Sequence, residues 1–338
     1  MSTEPLGVVH YGLGPIGLAV AEHVARHPRL RSVAAIDVDP GLLGRPLSGL
    51  LPPDAVAPGQ QPVTIGAGRG ALVEAVARGA RVVVHCTGSS LGAVMPQLRE
   101  CVEAGLSVVS TCEELSYPWT NAPAAAAELD RLARDRGVAV LGTGVNPGFA
   151  MDYLPVVLAG VSQRVDHVSV HRVQDAGRRR LPLQRKVGAG LSVEEFAARA
   201  DRGEVRHVGL SESVQAVAAA FGWNLTELKE QIEPIVAETL TSSGLGDIPA
   251  GHVTGVRQGC VGSVREREVI RLTLEMAVGL PDPRDEIVLD GVPRTHMVIV
   301  GGLPGDGATA AIVTNALERV VLAPPGLRVM ADIPPPRP

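Results

Sequence analysis

Lysine is almost absent from this sequence: Lys186 and Lys229 are the only two, so a mechanism built on a lysine nucleophile has few places to reside. Aromatic residues make up 2%, too few for the stacking platforms that read nucleic-acid bases. Excess positive charge is also missing. Thirty-one basic against 36 acidic residues leave a formal charge of -5, and no basic block is available to neutralise a phosphate backbone. The four cysteines, Cys86, Cys101, Cys112 and Cys260, form no CxxC pair, which excludes a disulfide scaffold or a cysteine-rich zinc site and favours a reducing compartment. Apolar runs such as VVVHC and YLPVVLAGV fall far short of the roughly 20 residues that span a bilayer. The start, MSTEPLGVVHYG, has neither the basic nor the apolar region of a signal peptide, so a cytoplasmic protein is expected. What the chain does have is 338 residues, 45% hydrophobic and 20% charged. That rules out disorder and allows two domains with real cores.

The first third alternates short β-branched runs with alanine-rich segments, the pattern of parallel strands covered by crossover helices. LGVVHY, SVAAID, RVVVHC, SVVS and VAVLGTG read as strands. Residues 15 to 28 and APAAAAELDRLARDRG read as helices, the second closed by a glycine. After GTGVNPGFAMDYLP the texture changes to longer alternating stretches, HVSVHRV, REREVIRLTLEMAV and DEIVLDGV, suited to a largely antiparallel or mixed sheet. SVEEFAARA opens with Ser192 and Glu195 at capping-box spacing, and SESVQAVAAAFG is a helix ended by Gly222. DGATAAIVTNALERVVLA is one long helix, in a tail whose texture returns to that of the first domain.

Strand one runs into Gly12, Leu13, Gly14, Pro15, Ile16 and Gly17, a GxGxxG between a strand and a helix. The first glycine permits a tight turn, the second lets backbone approach a pyrophosphate, and the third lets helix and strand pack closely. Asp37 ends the second strand twenty positions after Gly17, where a carboxylate accepts from a ribose hydroxyl and repels a 2′-phosphate. That favours NAD, although Arg45 in the following loop can serve a phosphate and keeps NADP open. In HCTGSS, Cys86, Thr87, Gly88 and Ser89 follow a strand end, where ligands of open sheets bind.

The candidate chemistry lies in STCEELSYPW. Glu113 and Glu114 are adjacent, so at most one faces a cleft and the other is a surface or capping residue. Asn146, in the turn Thr143–Phe149, can orient a substrate or the cofactor carboxamide. Arg172 can face the same cleft if its strand does. Tyr117, Trp119, Phe149 and Tyr153 are local aromatic exceptions in a pocket otherwise expected to be aliphatic. His167 and His171 sit four apart on a strand, about 13 Å, too far to share a metal, and neither HExxH nor GxSxG occurs. No metal is expected.

Taken together, VVHYGLGPIG, VVVHCTGSS, VVSTCEELSYPW, GTGVNPGFAMDYLP, QRKVGAGLSVEEF, RHVGLSES and GDGATAAIVTNALERV make the whole chain resemble the 2,4-diaminopentanoate dehydrogenase and native amine dehydrogenase family, related in fold to dihydrodipicolinate reductase. The paired-histidine and lysine-containing segments of that reductase have no counterpart here, which argues against its cyclic imine as substrate. The resemblance implies NAD(P)-dependent reversible oxidative deamination of a small aliphatic amine. It places Glu113, or less favourably Glu114, on the amine and water, with Asn146 and Arg172 in the pocket. The expected architecture is α/β, a Rossmann-type nucleotide domain over residues 1–148 and an α+β substrate and dimerisation domain over 149–302. Residues 303–338 return to the first domain, and the chain forms a homodimer. The competing readings are an alcohol or aldehyde oxidoreductase, which needs no ammonium, and a non-catalytic dinucleotide sensor.

Overall fold

The computed structural model describes residues 4–55 and 62–338, which divide into two compact units, Met1–Phe149 with Pro304–Pro338, and Ala150–Leu303. In the first, β1 (Leu6–Tyr11), α1 (Pro15–Arg26), β2 (Leu30–Ile36), β3 (Ile65–Gly66), α2 (Gly68–Ala77), β4 (Ala80–His85), α3 (Leu91–Glu103), β5 (Ser107–Ser110), α4 (Pro123–Arg136) and β6 (Ala139–Gly142) alternate as the sequence texture predicts. The strands are parallel in the order β6-β5-β4-β1-β2-β3. A sheet covered on both faces buries side chains that point either way, and the consecutive Val82, Val83 and Val84 of β4 are accordingly inaccessible. Helix α1 buries Gly17, Val20, Ala21 and Val24, the i, i+3, i+4, i+7 stripe of one helical face. Helix α4 starts with Pro123 in its first turn and stops at Gly137, which is left-handed at φ 68°.

The second unit holds α5 (Tyr153–Leu158), β7 (Arg164–Asp175), α6 (Leu181–Lys186), α7 (Val193–Asp201), α8 (Leu210–Ala220), β8 (Glu227–Val236), β9 (Thr241–Ser243), β10 (Gly246–Ile248), β11 (Val253–Val264), β12 (Arg267–Ala277), β13 (Arg284–Val292) and β14 (Thr295–Val300). Its six-stranded sheet runs β14-β13-β7-β12-β11-β8. The β7–β12 pairing is parallel and the others antiparallel, so the sheet is mixed. One face is covered by α8, with Val214, Val217, Leu272 and Cys260 buried. The stretch REREVIRLTLEMAV begins its strand two residues late because Arg265 and Glu266 take positive φ and close the β11–β12 hairpin. The Ser192–Glu195 capping box forms as the spacing requires.

The chain then re-enters the first unit as α9 (Gly305–Val321), which packs on α1 and across β4, β5 and β6. The short strand β15 (Gly326–Arg328) extends the parallel sheet beside β6. No described helix is long and apolar enough to cross a membrane.

Candidate active site

The three fingerprint glycines differ in what a side chain would meet. A Cβ on Gly17 would lie 2.0 Å from the Gly12 carbonyl oxygen, and one on Gly12, itself at φ +91°, would lie 2.5 Å from the Cys86 carbonyl oxygen. Gly14 has nothing within 4 Å. Two of the glycines are thus required by the protein's own backbone, while Gly14 leaves the open approach that a pyrophosphate needs at the start of α1. Asp37 is tied to the same turn. One carboxylate oxygen accepts the Leu13 amide at 2.6 Å, and the other accepts the amides of Val38 and Asp39 at 2.7 and 2.9 Å. A carboxylate has about four acceptor positions, so capacity for a ribose hydroxyl remains. Arg45 is exposed on the loop after β2, where its backbone bonds Leu42 and Ile65. These residues fit a bound dinucleotide.

At the end of β4 the chain makes a polar cluster that the sequence reading passed over. The His85 ring is fully buried beneath the Tyr11 ring, edge-on at 5.6 Å between centroids. Its Nδ1 lies 2.9 Å from Ser110 Oγ, and its Nε2 lies 2.8 Å from Gln97 Oε1 and 2.9 Å from Thr87 Oγ1. Burial pushes its pKa down to about 4. Cys86 beside it is half-buried, and burial raises its thiol to about 12.

The turn Glu113–Leu115 follows β5 and is anchored to the loop that precedes α3. The Glu114 amide donates to the Ser89 carbonyl at 3.2 Å, and the buried Cys112 thiol donates to the same oxygen. Burial raises that thiol to about 12, which excludes it as a ready nucleophile. The two glutamates have separate fates. Glu114 Oε2 accepts the Leu91 amide, the first of α3, at 2.7 Å, so this carboxylate is a helix cap at a positive dipole end. The Glu113 carboxylate is half-buried and makes no hydrogen bond or ion pair among the described residues. The turn fits against β6 only because Gly142 lacks a side chain, since a Cβ there would meet the Leu115 carbonyl at 2.5 Å.

Asn146 is half-buried and precedes Pro147 across a cis peptide. Its turn is pinned from the C-terminal helix, because the Val145 amide donates to Thr309 Oγ1 at 3.2 Å. The Thr143 hydroxyl is buried there without a partner among the described residues. Trp119 is half-buried and packs on the hydrophobic core of the first unit. Phe149 is half-buried. Tyr153 opens α5, its amide held by the Asp152 side chain at 2.6 Å.

Arg172 does not sit on an open strand face. Its side chain is 3% exposed, ion-paired to the wholly buried Asp285, and it donates to the Leu303 carbonyl at 2.8 Å while Asp285 accepts the Leu303 amide at 2.7 Å. The expectation of a ligand-facing Arg172 is corrected accordingly. The β7–β13 register places Asp285 opposite it, and the pair holds the segment that leads back to α9.

Residues 149–338 match the 2,4-diaminopentanoate dehydrogenase C-terminal domain. The chain is 30% identical to the 2,4-diaminopentanoate dehydrogenase of Acetoanaerobium sticklandii, over 99% of this chain and 95% of that one. It belongs to the 2,4-diaminopentanoate dehydrogenase family. It is also 25% identical to an amine dehydrogenase of Streptomyces virginiae, over 97% of this chain and 96% of that one. In fold it matches the amine dehydrogenase of Mycobacterium smegmatis with a TM-score of 0.82 at 24% identity, covering 99% and 98% of the two chains. This family member is an NAD(P)-dependent oxidoreductase of the amine dehydrogenase type.

Proposed function

We propose that the chain catalyses reversible oxidative deamination of a small aliphatic amine, with Glu113 as the base and NAD preferred over NADP. The observation that carries the assignment of the base is the division of labour between the two glutamates. Glu114 is consumed as the cap of α3, whereas Glu113 stands half-buried with its oxygens uncommitted, on a turn fastened to the Ser89 loop.

The fingerprint turn, Asp37 and the Thr87–Ser89 loop would hold the dinucleotide, and Asn146 would orient substrate or carboxamide. Once bound, the nicotinamide takes the hydride from the amine-bearing carbon. Glu113 first removes the ammonium proton, freeing the lone pair that expels the hydride. Once Glu113 has passed that first proton to solvent, water adds to the iminium and gives a proton to the same carboxylate; the carboxylate hands it to the carbinolamine nitrogen, and collapse to the ketone expels ammonia, which leaves as ammonium. Water and the dinucleotide are consumed as ketone, ammonium, reduced dinucleotide and a proton appear, so atoms and charge balance. Asp37 supports NAD because a 2′-phosphate would stand against its carboxylate, which is fixed by three amides. We further read the protein as a cytoplasmic homodimer.

The test is NADH and NADPH oxidation with a panel of small ketones and amino ketones, with and without ammonium at mildly alkaline pH. Turnover that needs ammonium supports the reading. Carbonyl reduction without ammonium replaces it with an alcohol-forming oxidoreductase, and dinucleotide binding without turnover on any substrate leaves a sensor.

A further inference from the structure

Thr87 and Glu113 stand on turns that follow different strands, yet the chemistry above requires that a cofactor-lining turn and the base keep one fixed spacing. The contacts between them form a continuous chain that is buried from His85 to Cys112 and opens to solvent at Thr87. Gln97 Oε1 is an acceptor, so His85 Nε2 carries the proton and donates to it, and the Thr87 hydroxyl donates to the same oxygen at 2.6 Å. Nδ1 is then the acceptor and takes the Ser110 hydroxyl proton at 2.9 Å. Ser110 Oγ, having donated, accepts the Cys112 amide at 3.1 Å, one residue before Glu113. In the other direction the Thr111 amide donates to the His85 carbonyl at 3.0 Å. Every donor in this chain has an acceptor, and every acceptor has a donor, in a single protonation state of the ring.

We infer that His85 is a positioning residue whose neutral, Nε2-protonated ring ties the Thr87–Ser89 turn to the Glu113 turn and so sets the distance between the cofactor-lining loop and the base. Protonation of Nδ1 would force the Ser110 hydroxyl to reverse, leaving its proton without an acceptor in a buried site. The low pKa of the ring, held down by burial, agrees with that state. The ring touches neither end of the reaction. It acts through Thr87 on one side and through Ser110 and the Cys112 amide on the other.

The inference rests on the amine dehydrogenase reading, and its test separates the two. His85→Leu keeps apolar volume but removes both arms of the chain; His85→Asn places an amide oxygen near the Nδ1 position and keeps the Ser110 arm; Ser110→Ala removes that arm alone. Positioning predicts that His85→Leu and Ser110→Ala lower kcat by about tenfold or more, as small misplacements do, while the Kd for NADH, read by nicotinamide fluorescence, moves by less than about threefold. His85→Asn, which keeps one of the two arms, should retain more of kcat than His85→Leu. A ring that only fills space predicts the opposite order, with leucine better tolerated than asparagine, and that order overturns the inference. So does wild-type turnover in folded His85→Leu. Independently of any substrate, 15N NMR of histidine-labelled protein at pH 7 should show His85 as the neutral Nε2–H tautomer; an Nδ1–H or doubly protonated ring overturns the inference. Absence of ammonium dependence in the wild type would instead overturn the reaction assignment.

Discussion

Glu114 Oε2 accepts the amide of Leu91 at 2.7 Å, and this single bond distinguishes two adjacent carboxylates that sequence alone leaves equivalent. A carboxylate at the first amide of a thirteen-residue helix is stabilised by the dipole there and by the donor it satisfies. Glu113, one residue earlier, makes no such bond among the described residues and retains its acceptor capacity.

Exchanging each glutamate should therefore produce different failures. Glu113→Gln should lower kcat by about 10²-fold or more, the usual contribution of a positioned base, with NADH affinity unchanged. Glu114→Gln should cost about 1 kcal/mol of stability through the weakened cap and retain most of the turnover. Steady-state kinetics beside thermal melts decides it. A Glu113→Gln enzyme turning over like the wild type would remove Glu113 from the reaction.

The glycine fingerprint was legible in the sequence because its function is local: Gly12 and Gly14 in one turn, and Gly17 in the helix that follows, whose apolar stripe is read by counting. The strands of the parallel sheet were legible for a related reason, since burial on both faces leaves continuous valine runs. Three features were not legible. Glu114's cap depends on a helix that starts 23 residues earlier, Arg172's partner Asp285 lies 113 residues away across a sheet register, and His85 looked like the end of a valine run. Each is a tertiary pairing without local periodicity. A polar residue closing an otherwise apolar buried strand was the available signal for His85.

Gly14 and Gly17 should respond differently to alanine. At Gly14 the added methyl meets only open space in the protein, so Gly14→Ala should melt like the wild type and lose roughly tenfold or more in NADH affinity because the methyl occupies the pyrophosphate approach. At Gly17 the methyl would collide with the Gly12 carbonyl, costing about 1–3 kcal/mol or more in stability whatever is bound. Equal melting temperatures for the two variants would contradict this division.

Asp37→Ser should narrow the preference for NAD by relieving repulsion of a 2′-phosphate, with Arg45 nearby in sequence to receive it. The comparison is the ratio of kcat/KM for NADH and NADPH. A ratio that stays fixed would mean that Asp37 acts only on the turn through the Leu13 amide.

Arg172→Met leaves the buried Asp285 carboxylate without its partner and should cost about 3–5 kcal/mol in urea unfolding. The double variant Arg172→Met, Asp285→Leu removes both charges and should recover most of that loss. If Arg172→Met instead raised KM for the amine with unfolding unchanged, the arginine would belong to the substrate pocket after all.

Two buried histidines should make the protein acid-sensitive well above the carboxylate range. His10, hydrogen-bonded to Ser32 Oγ at 2.9 Å, and His85 both have their pKa pushed down to about 4 by burial. In the unfolded chain each binds a proton near pH 6.5. Below that pH the unfolded state holds the extra protons, so stability is fully present above about 6.5 and falls as pH drops toward 4. Between pH 7 and 5 the loss should be about 2 kcal/mol per histidine. Urea unfolding at several pH values measures it, and His10→Gln should flatten the slope by one proton's share. A stability that is level from pH 7 to 5, or a slope unchanged in His10→Gln, would show that the folded protein accepts these protons as readily as the unfolded chain does.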